Sequence, residues 1–185
     1  MAIIQDPRVE GAGTDRGVEL IHGLSQAIRV EIELAFVLGK RLMGPGVTLT
    51  DVLRATEYVV PSLELVDARL LDPRKIFDTV ADNAAASGIV IGGRPVRPMD
   101  IDLRWVGGIM YVNGEIEETG VAAGVLGHPA MGVAWLANKL GSLGTPMEPG
   151  HIVLAGSFTR VVFPKKGDTL HADFGQLGGI SVRYV

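Results

Sequence analysis

The chain has 185 residues and a formal net charge of −4, with 47% hydrophobic and 21% charged residues. This length suits one domain with a sizeable core, and the low charge excludes an intrinsically disordered chain. The absence of cysteine excludes disulfides, zinc–thiolate sites, iron–sulfur clusters and cysteine nucleophiles. The mild acidity argues against nucleic acid as a partner, and no apolar run approaches the roughly 20 residues of a membrane helix. We therefore expect a cytoplasmic, globular protein.

The first third of the chain mixes helix and strand signals. Residues 18–27 carry a loose helical pattern, and residues 28–39 are rich in β-branched and aliphatic side chains, which predicts a strand. Thr48 and Asp51 match the start signal of a helix, which we expect to run to about Glu57.

The middle of the chain continues in the same way. An apolar strand is predicted over 58–66, and Pro61 is expected at a sheet edge or a bulge because proline has no N–H to donate. A helix is predicted over 73–84, and a short buried strand over 88–91.

The second half contains a clear hairpin signal. Asn113-Gly114 lies between two apolar runs, and both residues tolerate positive φ. A helix is predicted over 128–140, and further short strands over 152–155, 169–174 and 180–185. Strands outnumber helices and close hairpins, so the sequence predicts an α+β fold with a mixed or mostly antiparallel sheet.

Two glutamates share one face of the strand predicted over 28–39. Residues two apart on a strand point the same way, so Glu31 and Glu33 project side by side while Val30 and Ile32 face the opposite side. Two neighbouring carboxylates that are partly buried need a positive charge between them, and Mg²⁺ favours oxygen ligands of this kind. The alternative is a solvent-exposed face on which both glutamates are hydrated.

A further acidic group follows the strand predicted over 58–66. Asp67 at the end of that strand is a candidate third carboxylate ligand, whereas Glu64 does not share its face as simply. The alternative is an ion pair between Asp67 and Arg69.

The turn Gly156-Ser157-Phe158-Thr159-Arg160 follows a short predicted strand. Backbone N–H groups in such a turn can hold a carboxylate, and the hydroxyls of Ser157 and Thr159 add donors. The four histidines show no metal-binding spacing, and the chain lacks the usual nucleotide loops and the G-x-S-x-G elbow.

These segments, taken in order, resemble the fumarylacetoacetate hydrolase superfamily, and within it the 2-oxo-hept-3-ene-1,7-dioate hydratases and their relatives, 2-hydroxypentadienoate hydratase and 4-oxalocrotonate decarboxylase. The resemblance implies a mixed β-roll with flanking helices. The matching stretches include 30–40 (VEIELAFVLGK), 51–69 (DVLRATEYVVPSLELVDAR), 73–84 (PRKIFDTVADNA), 92–95, 102–106, 116–126, 128–140, 156–160, 167–169 and 177–185.

By motif match, the resemblance implies that Glu31, Glu33 and Asp67 bind Mg²⁺ or Mn²⁺ and form the catalytic centre. The implied reaction is the addition of water to a 2-oxo-alkenoate, with 2-oxohept-3-ene-1,7-dioate as the expected substrate, to give a 4-hydroxy-2-oxo acid in the catabolism of aromatic compounds. The implied substrate contacts are Ser157, Thr159, Asp82, Asn83 and Arg69.

The resemblance also sets the expected domains and partners. Residues 29–185 would form the catalytic domain, and 1–28 a divergent N-terminal segment that lacks the lysine-bearing stretch of related hydratases. The expected partners are a small 2-oxo acid, further copies of the chain in a homo-oligomer, and a related decarboxylase. The alternatives are a decarboxylase or isomerase with the same metal site, and a truncated homologue that is inactive without a partner.

Overall fold

The structure is a computed structural model that describes residues 3–4, 19–21, 28–70 and 73–185. Its strands, in chain order, are β1 (Ile3–Ile4), β2 (Glu19–Ile21), β3 (Arg29–Leu38), β4 (Thr56–Val66), β5 (Ala86–Ile91), β6 (Gly107–Val112), β7 (Glu115–Val121), β8 (Ile152–Leu154), β9 (Thr169–Asp173) and β10 (Gly179–Tyr184). Its α-helices are α1 (Leu49–Ala55), α2 (Ile76–Ala81) and α3 (Pro129–Gly141).

The strands form two five-stranded sheets, in the orders β1-β8-β3-β4-β5 and β2-β10-β9-β6-β7. Among the described residues, every strand pair is antiparallel except β10 with β2, which is parallel. The predicted α+β class with a mostly antiparallel sheet is therefore confirmed.

The two faces of strand β3 lie in different surroundings. One face is fully buried in the main core, together with side chains from the second sheet and from α1 and α3; its residues are Val30, Ile32, Leu34, Phe36 and Leu38. The other face carries a small apolar cluster around Ala35, Val60 and Leu154. The same face continues to Glu31 and Glu33, because these residues differ from Ala35 by even numbers of positions.

The structure contains the local features that were predicted from residues close together in the sequence. Thr48 caps α1, and its side chain and that of Asp51 make the reciprocal hydrogen bonds of a capping box. Asn113 and Gly114 both have positive φ and join β6 to β7. The imidazole Nδ1 of His128 accepts a hydrogen bond of 3.1 Å from the N–H of Ala130 at the start of α3.

The longest described helix, α3, has 13 residues. None of the helices in the described part of the chain has the length and apolar character needed to cross a membrane.

Two helix predictions need correction. Residues 18–27 were expected to be helical, but Glu19–Ile21 form strand β2, which pairs with the C-terminal strand β10; residues 18 and 22–27 lie outside the described residues. The helix expected over 73–84 is shorter, because α2 covers only Ile76–Ala81.

The prediction for Pro61 is wrong for the strand as a whole, because β4 is an interior strand between β3 and β5. The physical reason is local. The Pro61 carbonyl accepts a hydrogen bond of 3.2 Å from the Gly92 N–H, and Gly92 lies just beyond the end of β5. Since the N–H and C=O of one residue point to the same side of an antiparallel strand, the missing amide of Pro61 faces a place where the ladder has already ended.

The close packing of Gly120 against Phe158 predicts how a substitution there changes the stability. A Cβ at Gly120 in β7 would lie 1.9 Å from the carbonyl oxygen of Phe158. We expect Gly120→Ala to lower the free energy of unfolding by about 1–3 kcal/mol in a urea titration. Gly107→Ala is the control, since its nearest neighbour would be 3.9 Å away. Equal stability of the two variants would contradict this packing.

Candidate metal centre

The register of two strands assembles the site. In the β3–β4 ladder Glu31 lies directly opposite Glu64, and Glu33 lies directly opposite Ser62. Because directly opposed residues place their side chains on the same face of a sheet, all four side chains lie on one face. The sheet backbone therefore holds three carboxylates and one hydroxyl together.

The three carboxylates are close enough to share one ion. One oxygen from each of Glu31, Glu33 and Glu64 lies within 4.8 Å of the other two. Glu33 is 1% exposed and Glu64 is 6% exposed, while Glu31 is half-buried. A hydrated strand face, the alternative considered from the sequence, is therefore wrong for Glu33.

Burial and mutual repulsion alter the acidity of these groups. Burial, followed by the charge of Glu64, raises the pKa of Glu33 to about 9, although a hydrogen bond from the Gly156 N–H works in the opposite direction. Burial and then the charge of Glu64 also raise the pKa of Glu31. Without a cation, the cluster therefore favours a bound proton over a full set of negative charges.

The turn after β8 holds one of these carboxylates. The Gly156 N–H donates to Oε2 of Glu33 at 2.6 Å, and Gly156 has a φ of +117°, which suits glycine. The expectation that this turn can hold a carboxylate is confirmed, and the carboxylate is that of Glu33.

An open groove of about 480 Å³ begins one residue further along the chain, and Ser157, Thr159, Arg160 and Glu118 are among its lining residues. The Ser157 hydroxyl oxygen lies 3.0 Å from the carbonyl oxygen of Thr159. Arg160 Nε lies 2.8 Å from Oε1 of Glu118. The groove thus combines hydroxyl groups with one ion pair beside the residue that holds Glu33.

The remaining predicted residues lie at the connection between β4 and β5. The guanidinium of Arg69 pairs with Asp82, with 2.5 Å between Nε and Oδ1, and the Arg69 N–H donates to Oδ2 of Asp82 at 2.9 Å. Asn83, which has positive φ, follows directly. Asp67 is buried, and its N–H donates to the carbonyl of Ala85. The structure thus places Arg69 and Asp82 against each other, and their role as substrate contacts stays a prediction.

Sequence reasoning passed over Glu64. The three carboxylates that the structure brings together are those of Glu31, Glu33 and Glu64, and Asp67 lies outside this group. A usable signal was the antiparallel pairing of two consecutive long strands, but it requires the register of the ladder, which the sequence pattern alone does not give.

The donor set fits a hard divalent cation. All three groups offer carboxylate oxygens, the ligands that Mg²⁺ and Mn²⁺ take in proteins. The buried hydroxyl of Ser62, on the same face, has no hydrogen-bond partner among the described residues. The site therefore combines closely spaced acidic oxygens with an unsatisfied polar group, as expected where an ion completes the arrangement.

The amino-acid sequence is similar to those of several known enzymes. The chain is 58% identical over 164 residues to 2-oxo-hept-4-ene-1,7-dioate hydratase of Escherichia coli, a match that covers 85% of this chain and 61% of the relative. It is 38% identical over 158 residues to 4-oxalocrotonate decarboxylase of Pseudomonas putida, covering 85% of this chain and 60% of the relative. The chain thus spans about three fifths of the length of these relatives.

Solved structures agree with the sequence matches. The 4-oxalocrotonate decarboxylase from Pseudomonas putida G7, complexed with magnesium and adipate, superposes with a TM-score of 0.85 at 36% identity, covering 91% of this chain and 64% of that one. The fumarylacetoacetate (FAA) hydrolase C-terminal family matches residues 9–184. Since that match spans nearly the whole chain and the fold agrees with it, the chain belongs to the fumarylacetoacetate hydrolase family.

Proposed function

We propose that the chain carries the cation site of a divalent-metal-dependent hydratase, a lyase that adds water to a 2-oxo-alkenoate and gives a 4-hydroxy-2-oxo acid. The observation that carries the proposal is the group of three carboxylates on the β3–β4 ladder. It is supported by the hydratase from Escherichia coli and by the magnesium complex of the related decarboxylase. The seven-carbon diacid 2-oxohept-3-ene-1,7-dioate is our proposed substrate, and the name of the relative places the double bond at carbon 4 instead.

We assign Glu31, Glu33 and Glu64 as the cation ligands, for Mg²⁺ or Mn²⁺. This assignment competes with Asp67 as the third ligand, which the resemblance implied. Glu64 is favoured because its carboxylate lies with those of Glu31 and Glu33, directly across the ladder from Glu31.

A bound divalent cation would act as a Lewis acid toward the 2-oxo acid. Around it, the Gly156 N–H holds Oε2 of Glu33 in place. The carboxylate of Glu31 is the most exposed of the three, and we assign it the proton transfer with water. Ser157 and Thr159, which line the adjacent groove, would orient the substrate by hydrogen bonds.

A decarboxylase with the same cation site is the second candidate function. It is favoured by the structural similarity to the 4-oxalocrotonate decarboxylase from Pseudomonas putida G7. The two reactions differ in their products, since hydration keeps every carbon of the substrate and decarboxylation releases CO₂.

The assembly of the protein stays a prediction. Exposed apolar side chains such as Phe77 and Trp105, which are 79% and 69% exposed, support a homo-oligomer. An assembly with a related decarboxylase and a cytoplasmic location also remain proposals.

The ligand assignment predicts opposite results for two variants. We expect Glu64→Gln to weaken Mg²⁺ binding by at least about tenfold, because a ligand oxygen loses its charge, whereas Asp67→Asn keeps nearly the wild-type affinity. Isothermal titration calorimetry with Mg²⁺ and with Mn²⁺ measures both. The reverse pattern would show that Asp67 is the third ligand.

The buried Glu33 predicts how stability depends on pH. Because its pKa is raised to about 9 in the folded state, its contribution to stability is complete below pH 4.5 and is lost as the pH rises toward 9. In EDTA, the free energy of unfolding should fall between pH 5 and pH 9, by up to about 1.4 kcal/mol per pH unit from this group. Urea titrations of Glu33→Gln should give a smaller slope, since the amide does not titrate.

Asp102→Asn is the control for this experiment. Hydrogen bonds from Arg104 lower the pKa of Asp102 to about 2, so this group titrates below the range from pH 5 to pH 9. The free energy of unfolding of Asp102→Asn should therefore fall with pH as steeply as that of the wild type. If the free energy of unfolding of Glu33→Gln depended on pH as strongly as that of the wild type, the raised pKa of Glu33 would be contradicted.

The activity itself is tested on the chain with Mg²⁺ and 2-oxohept-3-ene-1,7-dioate. Mass spectrometry should show a product heavier by one water, and Glu31→Ala should abolish both turnover and Mn²⁺ binding. Release of CO₂ would identify the decarboxylase instead. A chain that binds Mg²⁺ but performs neither reaction would refute the activity of this chain on its own while leaving the cation site intact.

A further inference from the structure

A second group on the acidic face has no role in the proposed ligand set. Ser62 lies in the middle of β4, its side chain is 0% exposed, and its hydroxyl makes no hydrogen bond among the described residues. A buried hydroxyl without a hydrogen-bond partner destabilises the folded protein, so we expect such a group to have a partner in some state of the protein.

The ladder shows which partners are within reach. Ser62 is directly opposite Glu33 on one side and Ile91 on the other, and it precedes Glu64 by two residues on the same face. Directly opposed residues have Cβ atoms about 4.5–5.5 Å apart. Val60, the preceding residue on this face, is apolar, so the polar groups beside the Ser62 hydroxyl in this ladder are the carboxylates of Glu33 and Glu64.

The hydrogen bonds of Glu33 leave one oxygen for this hydroxyl. Oε2 of Glu33 accepts from the Gly156 N–H, and one Glu33 oxygen lies within 4.8 Å of an oxygen of Glu31 and an oxygen of Glu64. A cation held by these carboxylates would keep Glu33 ionised, and an ionised carboxylate accepts hydrogen bonds at both oxygens. Ser62 is directly opposite Glu33 in the ladder and is placed to donate to its second oxygen.

We propose that Ser62 is a positioning residue of the cation site, whose hydroxyl donates to the Glu33 carboxylate when a divalent cation is bound. The Gly156 N–H and the Ser62 O–H then hold Glu33 from two sides, and the buried hydroxyl gains a hydrogen-bond partner. This inference rests on the proposed cation site and adds a residue from the opposite strand to it.

The test compares metal-free and metal-loaded protein in thermal melts and calorimetric titrations with Mg²⁺ as the probe. We expect Ser62→Ala to leave the melting temperature in EDTA unchanged or higher, because an unsatisfied hydroxyl is removed. We expect the same variant to bind Mg²⁺ about tenfold more weakly, since a hydrogen bond to a charged group is lost. Ser62→Cys, which keeps a weak donor of similar size, should recover part of the affinity.

Thr56→Val is the matched control, because Thr56 is a buried hydroxyl on the same strand whose Oγ1 donates to the Val52 carbonyl at 2.8 Å. This control should lower the melting temperature equally with and without Mg²⁺ and leave the affinity unchanged. Equal Mg²⁺ affinity of Ser62→Ala and wild type, or a lower melting temperature of Ser62→Ala in EDTA, would overturn the role of Ser62 alone. A wild-type chain that does not bind Mg²⁺ would overturn the cation site and this proposal together.

Discussion

Repulsion among three carboxylates on one β-ladder is the constraint around which the site is organised. Glu31, Glu33 and Glu64 lie on the same face of β3 and β4, and two of them are almost fully buried. Placing a single charge in such surroundings costs several kcal/mol, and like charges at this spacing add to the cost. The fold therefore has to hold these groups together by interactions elsewhere.

The apolar side chains on the opposite face of β3 provide this stabilisation. Its five side chains, from Val30 to Leu38, are fully buried, and burying aliphatic or aromatic side chains of this size contributes roughly 10 kcal/mol together. A slip of the ladder by one residue would move the acidic side chains into the core and the apolar ones out of it. The hydrophobic core thus fixes the register, and the register fixes the spacing of the acids.

The second sheet positions the turn that holds Glu33. Phe158 packs against glycines of β6 and β7, where a side chain at Gly108 or Gly120 would collide with it. This packing sets the position of the turn that begins at Gly156, and the Gly156 N–H in turn holds Glu33. Glu118 of β7 reaches Arg160 across the groove, so a molecule bound there would touch both β7 and the turn after β8.

The sequence by itself determined the elements whose signals are local. The capped helix α1, the hairpin at Asn113-Gly114 and the strand with Glu31 and Glu33 on one face depend on residues a few positions apart, and all formed as predicted. The family resemblance likewise indicated the fold and a cation site. Strand β2 was missed because its pairing partner lies at the far end of the chain.

Only the tertiary structure decided which acid stands with Glu31 and Glu33. Asp67 was predicted because it follows the strand over 58–66 and because the resemblance implied it, but β4 ends at Val66, so Asp67 lies beyond the ladder. Glu64 lies within it, directly across from Glu31. Which residues face each other across a sheet depends on how two strands align, and that alignment is set by burial of the opposite face, which no single strand encodes.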